Sequence, residues 1–191
     1  MSPPSVSALV LCGGGSRRMA PDGSDKTAAV LGPTTVLDHL LDALAADWPV
    51  VVVGPERPTR RPVRWTREAP IGGGPVAAVA AGLVLVDTEL VVVLAGDMPF
   101  AATAATRLAA TLQDTRTDAV VATDPDGRPN PLLAVYRTTA LKGVLPQPPA
   151  DVAAHSLLAV AHTTVPVDEA ESHDVDTPEA LAAARTMALG D

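Results

Sequence analysis

Short, unbroken apolar runs alternate with segments of helical periodicity along most of the chain, and this alternation limits the fold more than any other feature. Residues 5–11, 49–53 and 90–95 are dominated by Val, Leu and Ala, and each run stops at or just before a glycine. Strands that are continuously apolar, rather than apolar at every second position, are buried on both faces. Between these runs, Val36, Leu37, Leu40, Leu41 and Leu44 fall at helical spacing within residues 35–46, with Thr35 as a cap. Residues 76–86 read as an apolar helix starting just after Pro75, and residues 102–113 as a further helix.

The pattern continues to the end of the chain. Residues 63–66, 119–123, 131–136 and 163–167 read as strands, and 178–189 as a last helix. The stretch 124–130 is a turn-rich loop, and 146–149 a loop between two short helical stretches. Helices covering both faces of a sheet imply an α/β fold: a three-layer, Rossmann-like domain with a mainly parallel sheet. No repeat or linker interrupts it, so 1–191 is expected to be a single domain, a length that suits one core.

Composition removes several function classes. The net charge is −8, which disfavours nucleic-acid binding, and Trp48, Trp65, Phe100 and Tyr136 are too few for a base-stacking platform. The charge is divided unevenly. Residues 1–67 hold eight basic and six acidic residues, a net of +2, so the remainder carries −10. One part can hold anions and the other a cation. Cys12 is the sole cysteine, which rules out an internal disulfide or a cysteine zinc cluster and fits a reducing, cytoplasmic setting. Residues 75–96 are apolar enough to resemble a membrane span, but Asp87 and Glu89 divide them into two shorter buried elements, so no membrane partner is expected.

In open α/β sheets, ligands bind outside the carboxyl ends of the strands. Three such ends carry unusual loops. After Leu11 comes Cys12-Gly13-Gly14-Gly15-Ser16-Arg17-Arg18-Met19, then Asp25-Lys26. Glycines there let backbone N–H groups approach an anion, and Arg18 and Lys26 can offset phosphate charge. The loop is neither a dinucleotide fingerprint, because Arg18 stands where the third glycine belongs, nor a P-loop, because Gly-Lys-Ser/Thr is missing. Arg67-Glu68 precedes Gly72-Gly73-Gly74-Pro75, a glycine loop leading into a helix N-terminus. Asp97, in Gly96-Asp97-Met98-Pro99, directly follows the most apolar strand; a carboxylate beside a phosphate loop suits Mg²⁺. Cys12 and Met19 read as packing residues, and the four histidines show no ligand spacing.

Together these motifs resemble the molybdenum cofactor guanylyltransferases, within the nucleotidyltransferase superfamily. The family pattern of Leu-x-Gly-Gly-x-x-x-Arg-Met, Asp-Lys, Gly-Pro-x-x-Ala and Asp-x-Pro corresponds to Leu11–Gly14, Arg18-Met19, Asp25-Lys26, Gly74–Ala78 and Asp97–Pro99. The late segment Asp174-Val175-Asp176-Thr177-Pro178-Glu179 is similar to the family's Asn/Asp-x-Asn/Asp-Thr-Pro-Glu. Two departures stand out: Ala20 replaces a glycine, and residues 21–24 lengthen the loop before Lys26.

The resemblance implies transfer of GMP from GTP to the phosphate of molybdopterin, with Mg²⁺ and release of pyrophosphate. It implies that Leu11, Cys12, Gly13, Gly14 and Gly74 surround the nucleotide, with Glu68 near the base or ribose where the family has Asp. It further implies Lys26 and Arg18 on the phosphates, Asp97 as the metal ligand and catalytic carboxylate, and Asp176 as a second metal ligand. The Gly13-Gly14 pair implies GTP rather than CTP. Arg128 and Asn130-Pro131-Leu132 are candidates for the acceptor side, where residues 138–165 contain just one Lys or Arg, Lys142. Alternatives are a cytidylyltransferase, an enzyme for another phosphorylated small molecule such as a sugar phosphate, and a non-catalytic nucleotide-binding protein.

Overall fold

The computed structural model describes residues 5–13 and 25–190. Its centre is a seven-stranded sheet built from β1 (Val6–Leu11), β4 (Val50–Val53), β5 (Arg64–Thr66), β6 (Leu90–Ala95), β7 (Ala119–Thr123), β8 (Pro129–Arg137) and β9 (His162–Pro166), in the order β5-β4-β1-β6-β8-β7-β9. Two short strands, β2 (Val30–Leu31) and β3 (Thr34–Thr35), pair separately around Gly32. The sheet is mainly parallel, as the apolar runs imply, with one reversed strand. β8 runs antiparallel to both β6 and β7. The reversal follows from the turn at 124–128, where Gly127 donates to the carbonyl of Asp124 at a positive φ of 78° and folds β7 back as a hairpin.

Helices cover both faces, completing three layers. On one face α1 (Val36–Ala43) and α3 (Ala102–Gln113) bury Leu37, Leu40, Leu41, Leu108 and Leu112 against Val10, Val52 and Val92. On the other, α2 (Gly74–Leu83) and α4 (Thr138–Val144) bury Val76, Val79, Leu83 and Leu141 against Leu9, Val51 and Val93. Gly82 sets how closely α2 approaches: a Cβ there would stand 2.2 Å from Leu9 Cδ1 and 2.9 Å from Val53 Cγ2. The last helix, α5 (Pro178–Met187), packs Leu181 and Ala184 with Leu31, Val36 and Val175 in a smaller cluster.

Helix ends differ from the sequence expectation for identifiable reasons. Thr35 caps α1, its hydroxyl accepting from the Asp38 N–H at 3.1 Å. The helix stops at Ala43 rather than at residue 46. There the Arg61 guanidinium donates to the carbonyls of Leu41, Leu44, Ala45 and Trp48 at 2.7–3.1 Å, supplying partners that a further turn would otherwise have provided. The apolar stretch 75–96 is divided into α2 and β6, and no helix among the described residues is long and apolar enough to cross a membrane.

Candidate active site

The carboxyl ends of β1 and β6 lie side by side, with Leu11 opposite Ala95. The Gly96 N–H donates to the Leu11 carbonyl at 2.9 Å and the Cys12 N–H to the Val53 carbonyl at 2.7 Å, which fixes both strand exits. Asp97 emerges from this junction. A short 3-10 turn, Lys26–Ala28, faces it. Asp25 caps that turn, its carboxylate accepting from the Thr27 N–H at 2.9 Å and hydroxyl at 2.8 Å.

Lys26 Nζ forms salt bridges with Asp97 Oδ2 and with Asp176 Oδ1, so three residues from distant parts of the chain meet at one ammonium. Burial opposes the charge on Lys26, but the two carboxylates outweigh it and hold the ammonium above its ordinary value. Asp176 arrives through a backbone bond: the Val175 N–H donates to the Asp97 carbonyl at 2.9 Å. Val175 is fully buried, and Asp174 and Asp176 flank it. Burial, reinforced by the charges of Asp176 and Asp97, pushes the Asp174 carboxyl above its ordinary value. The segment leading here is held by Arg107 on α3, whose guanidinium donates to both oxygens of Glu171 at 2.7 and 2.8 Å.

Leu11, Cys12, Gly13, Lys26 and Asp97 line a cavity of about 130 Å³. The Cys12 thiol is pushed up to about 12, mainly by burial, so it stays protonated at neutral pH. Glu68 lies beside Gly13: a Cβ added to Gly13 would stand 3.5 Å from Glu68 Oε1. Glu68 is only 8% exposed; Oε1 accepts from the Gly72 N–H at 3.0 Å, whereas Oε2 is buried with no partner among the described residues. Gly74 opens α2 with a φ of 88°, a conformation glycine adopts freely, and Pro75 behind it lines the cavity. A separate cavity of about 330 Å³ is lined by Asp124, Arg128, Asn130, Ser172 and Asp174. A larger one, about 580 Å³, lies beside His39, Phe100 and Met187 and contains none of Lys26, Asp97 or Asp176.

The structure thus brings Leu11, Cys12, Gly13, Lys26, Glu68, Gly74, Asp97 and Asp176 to one end of the sheet. Gly14 and Arg18 lie outside the described residues. Sequence reasoning placed Asp174 in the late motif but gave it no role, and gave none to Arg57. A role for Asp174 was within reach, because it opens the same motif that supplies Asp176. Arg57 pairs with Asp25 and Thr27 from a loop far along the chain, and no local pattern announces it.

The donor set suits a hard cation. Among the described residues no group of three or more His, Cys, Asp or Glu could hold a metal ion. Asp97 and Asp176 nevertheless converge on one positive charge, and Mg²⁺ is commonly held by one or two carboxylates plus substrate phosphates.

Residues 8–167 match the MobA-like NTP transferase domain family. The fold is shared with molybdopterin-guanine dinucleotide biosynthesis protein A from Archaeoglobus fulgidus, with a TM-score of 0.74 and 22% identity over 97% of this chain and 100% of that one. It is also shared with 2-C-methyl-D-erythritol 4-phosphate cytidylyltransferase from Thermus thermophilus, with a TM-score of 0.72 and 19% identity over 97% and 99%. The manganese complex of Rv0371C from Mycobacterium tuberculosis H37Rv superposes with a TM-score of 0.65 and 17% identity over 97% and 100%. No curated protein matches the chain.

Proposed function

Because the chain belongs to the MobA-like NTP transferase domain family, whose members transfer nucleotides, we propose that it moves GMP from GTP to the phosphate of molybdopterin and releases pyrophosphate. The observation that carries this reading is the meeting of Lys26, Asp97 and Asp176 beside Gly13 at the carboxyl ends of β1 and β6. A cation and two carboxylates at a strand-end cavity are what a metal-bound triphosphate requires.

A phosphate oxygen of the acceptor attacks the α-phosphorus of the nucleotide. The new P–O bond forms as the bond to the β-phosphate oxygen breaks. A phosphate monoester is already anionic near neutral pH, so no protein base or nucleophile is needed, and catalysis rests on positioning and charge. Gly13 offers its backbone to the nucleotide, and Lys26 and Arg18 offset charge on the departing pyrophosphate. Asp97 and Asp176 would hold Mg²⁺, which when bound supplies charge neutralisation at the reacting phosphates. The buried Cys12 thiol takes no part and fits a reducing, cytoplasmic setting.

Guanine is supported by Glu68. Guanine presents two adjacent donors, N1–H and the 2-amino group, and Glu68 Oε2 is a buried acceptor still lacking a donor among the described residues. The acceptor side supports a second reading. The cavity beside Asp174 contains two aspartates and one arginine, Arg128, which is itself paired with Asp126. A less anionic phosphorylated acceptor, such as a sugar phosphate, would suit that lining. Pyrophosphate release with GTP, CTP, ATP and UTP, each with and without molybdopterin, tests both. Release with GTP that requires molybdopterin supports the main reading. Molybdopterin-independent behaviour with every nucleotide sinks it.

A further inference from the structure

We propose that Arg57 is a positioning residue for Lys26, acting on nucleotide binding without touching the nucleotide. The inference rests on the role assigned above to Lys26. Arg57 lies in the loop after β4. Its Nη1 pairs with Asp25 Oδ2 and its Nη2 donates to Thr27 Oγ1, so one guanidinium grips the residues on either side of Lys26. Its other face lies over the Trp65 ring, 5.9 Å from the centroid, which limits the directions the fork can take.

The grip is cross-linked. Asp25 Oδ1 accepts from the Thr27 backbone N–H and hydroxyl while Oδ2 serves Arg57, so both carboxylate oxygens are engaged. Thr27 is only 3% exposed, and its hydroxyl lies between Asp25 and Arg57. A turn of three residues has little stability of its own. Held at both flanks, it carries the Lys26 stem towards Asp97 rather than leaving a long, entropically free side chain to find it. Lysine could keep the charge of Arg57 but could not bridge Asp25 and Thr27 with a planar fork.

The test is a double-mutant cycle on the full chain. Isothermal titration calorimetry with Mg²⁺ and GTP, and in parallel with CTP, measures the dissociation constant for wild type, Arg57→Met, Lys26→Met and the double variant; thermal midpoints confirm folding. Loss of a partner that orients a metal ligand typically costs 10- to 100-fold, and by analogy Arg57→Met should weaken nucleotide binding by about tenfold. The double variant should bind no more weakly than Lys26→Met alone, and Arg57→Lys should recover only part of the loss. An Arg57→Met variant that binds like wild type, or losses that multiply in the double variant, overturns the inference while leaving the role of Lys26 intact. Unchanged binding by Lys26→Met, or no nucleotide binding by wild type, removes the proposed function and the inference together.

Discussion

The ammonium of Lys26 and the carboxylate of Asp97 form a salt bridge across the mouth of the β1–β6 junction, and Asp176 shares the same ammonium. In this arrangement the lysine neutralises the carboxylates that a divalent ion would use. Lys26→Met should therefore bind Mn²⁺ alone more tightly than wild type while binding a nucleoside triphosphate less well, each by about tenfold. Electron paramagnetic resonance of Mn²⁺ titrated without nucleotide reads the first effect. Weaker Mn²⁺ binding by the variant would show that the lysine does not compete for this site.

Asp97→Asn keeps the shape of the side chain and removes its charge. By comparison with other lost transition-state electrostatics, pyrophosphate release should fall by about 100-fold or more. A rate within threefold of wild type (roughly 0.7 kcal/mol of barrier) would exclude Asp97 from the reaction.

Glu68→Gln replaces one acceptor oxygen with a donor at nearly constant volume. The KM for GTP should rise by about tenfold with a smaller change in kcat, and the preference for GTP over CTP should narrow, because a base N–H would meet an amide N–H. An unchanged GTP-to-CTP ratio of kcat/KM would place base selection elsewhere.

The Arg107–Glu171 pair predicts a pH dependence. The Arg107 hydrogen bonds hold the Glu171 carboxyl below its ordinary value of 4.5. A carboxylate depressed on folding contributes stability that is present above its unfolded value and is lost as pH falls through the folded value. Wild type should therefore lose stability more steeply than Glu171→Gln below about pH 4.5, measured by thermal midpoints across an acid series. Above that pH the gap between the two should stay constant. A gap that widens towards neutral pH would contradict the assignment.

Gly82 faces Leu9 and Val53 of the sheet with no room for a side chain. Gly82→Ala would force its methyl into Leu9 and Val53, an overpacking that costs about 1–3 kcal/mol. The melting temperature should fall with no matching change in nucleotide affinity, separating packing from chemistry. An unchanged or higher melting temperature would mean that α2 can slide.

The apolar runs of β1, β4 and β6 were legible because burial on both faces leaves an unbroken signature, and Asp97 drew notice because it stands just past the end of the last of these. The reversal of β8 was not, since a buried strand looks alike in either direction and only the turn at Gly127 decides it. Glu68 suggested a polar residue near a ligand, but its burial runs against the usual exposure of glutamate and shows only in three dimensions. Asp174 and Asp176 lie beyond residues 8–167, the span matched to the family, and long-range contacts, among them the Val175 backbone bond, bring them to Asp97. Arg57 was invisible for a related reason: its partners lie far away in sequence, and ion pairing has no period.

That backbone bond, from Val175 to the carbonyl of Asp97, joins a late-synthesised part of the candidate site to the sheet. Every strand of the sheet ends before Val167, so a growing chain can complete its scaffold while Asp174 and Asp176 have yet to emerge. The strands of the sheet are synthesised first and the last carboxylates of the candidate site after them. A chain made only as far as the end of β9 would lack Asp176, a carboxylate that Lys26 pairs with.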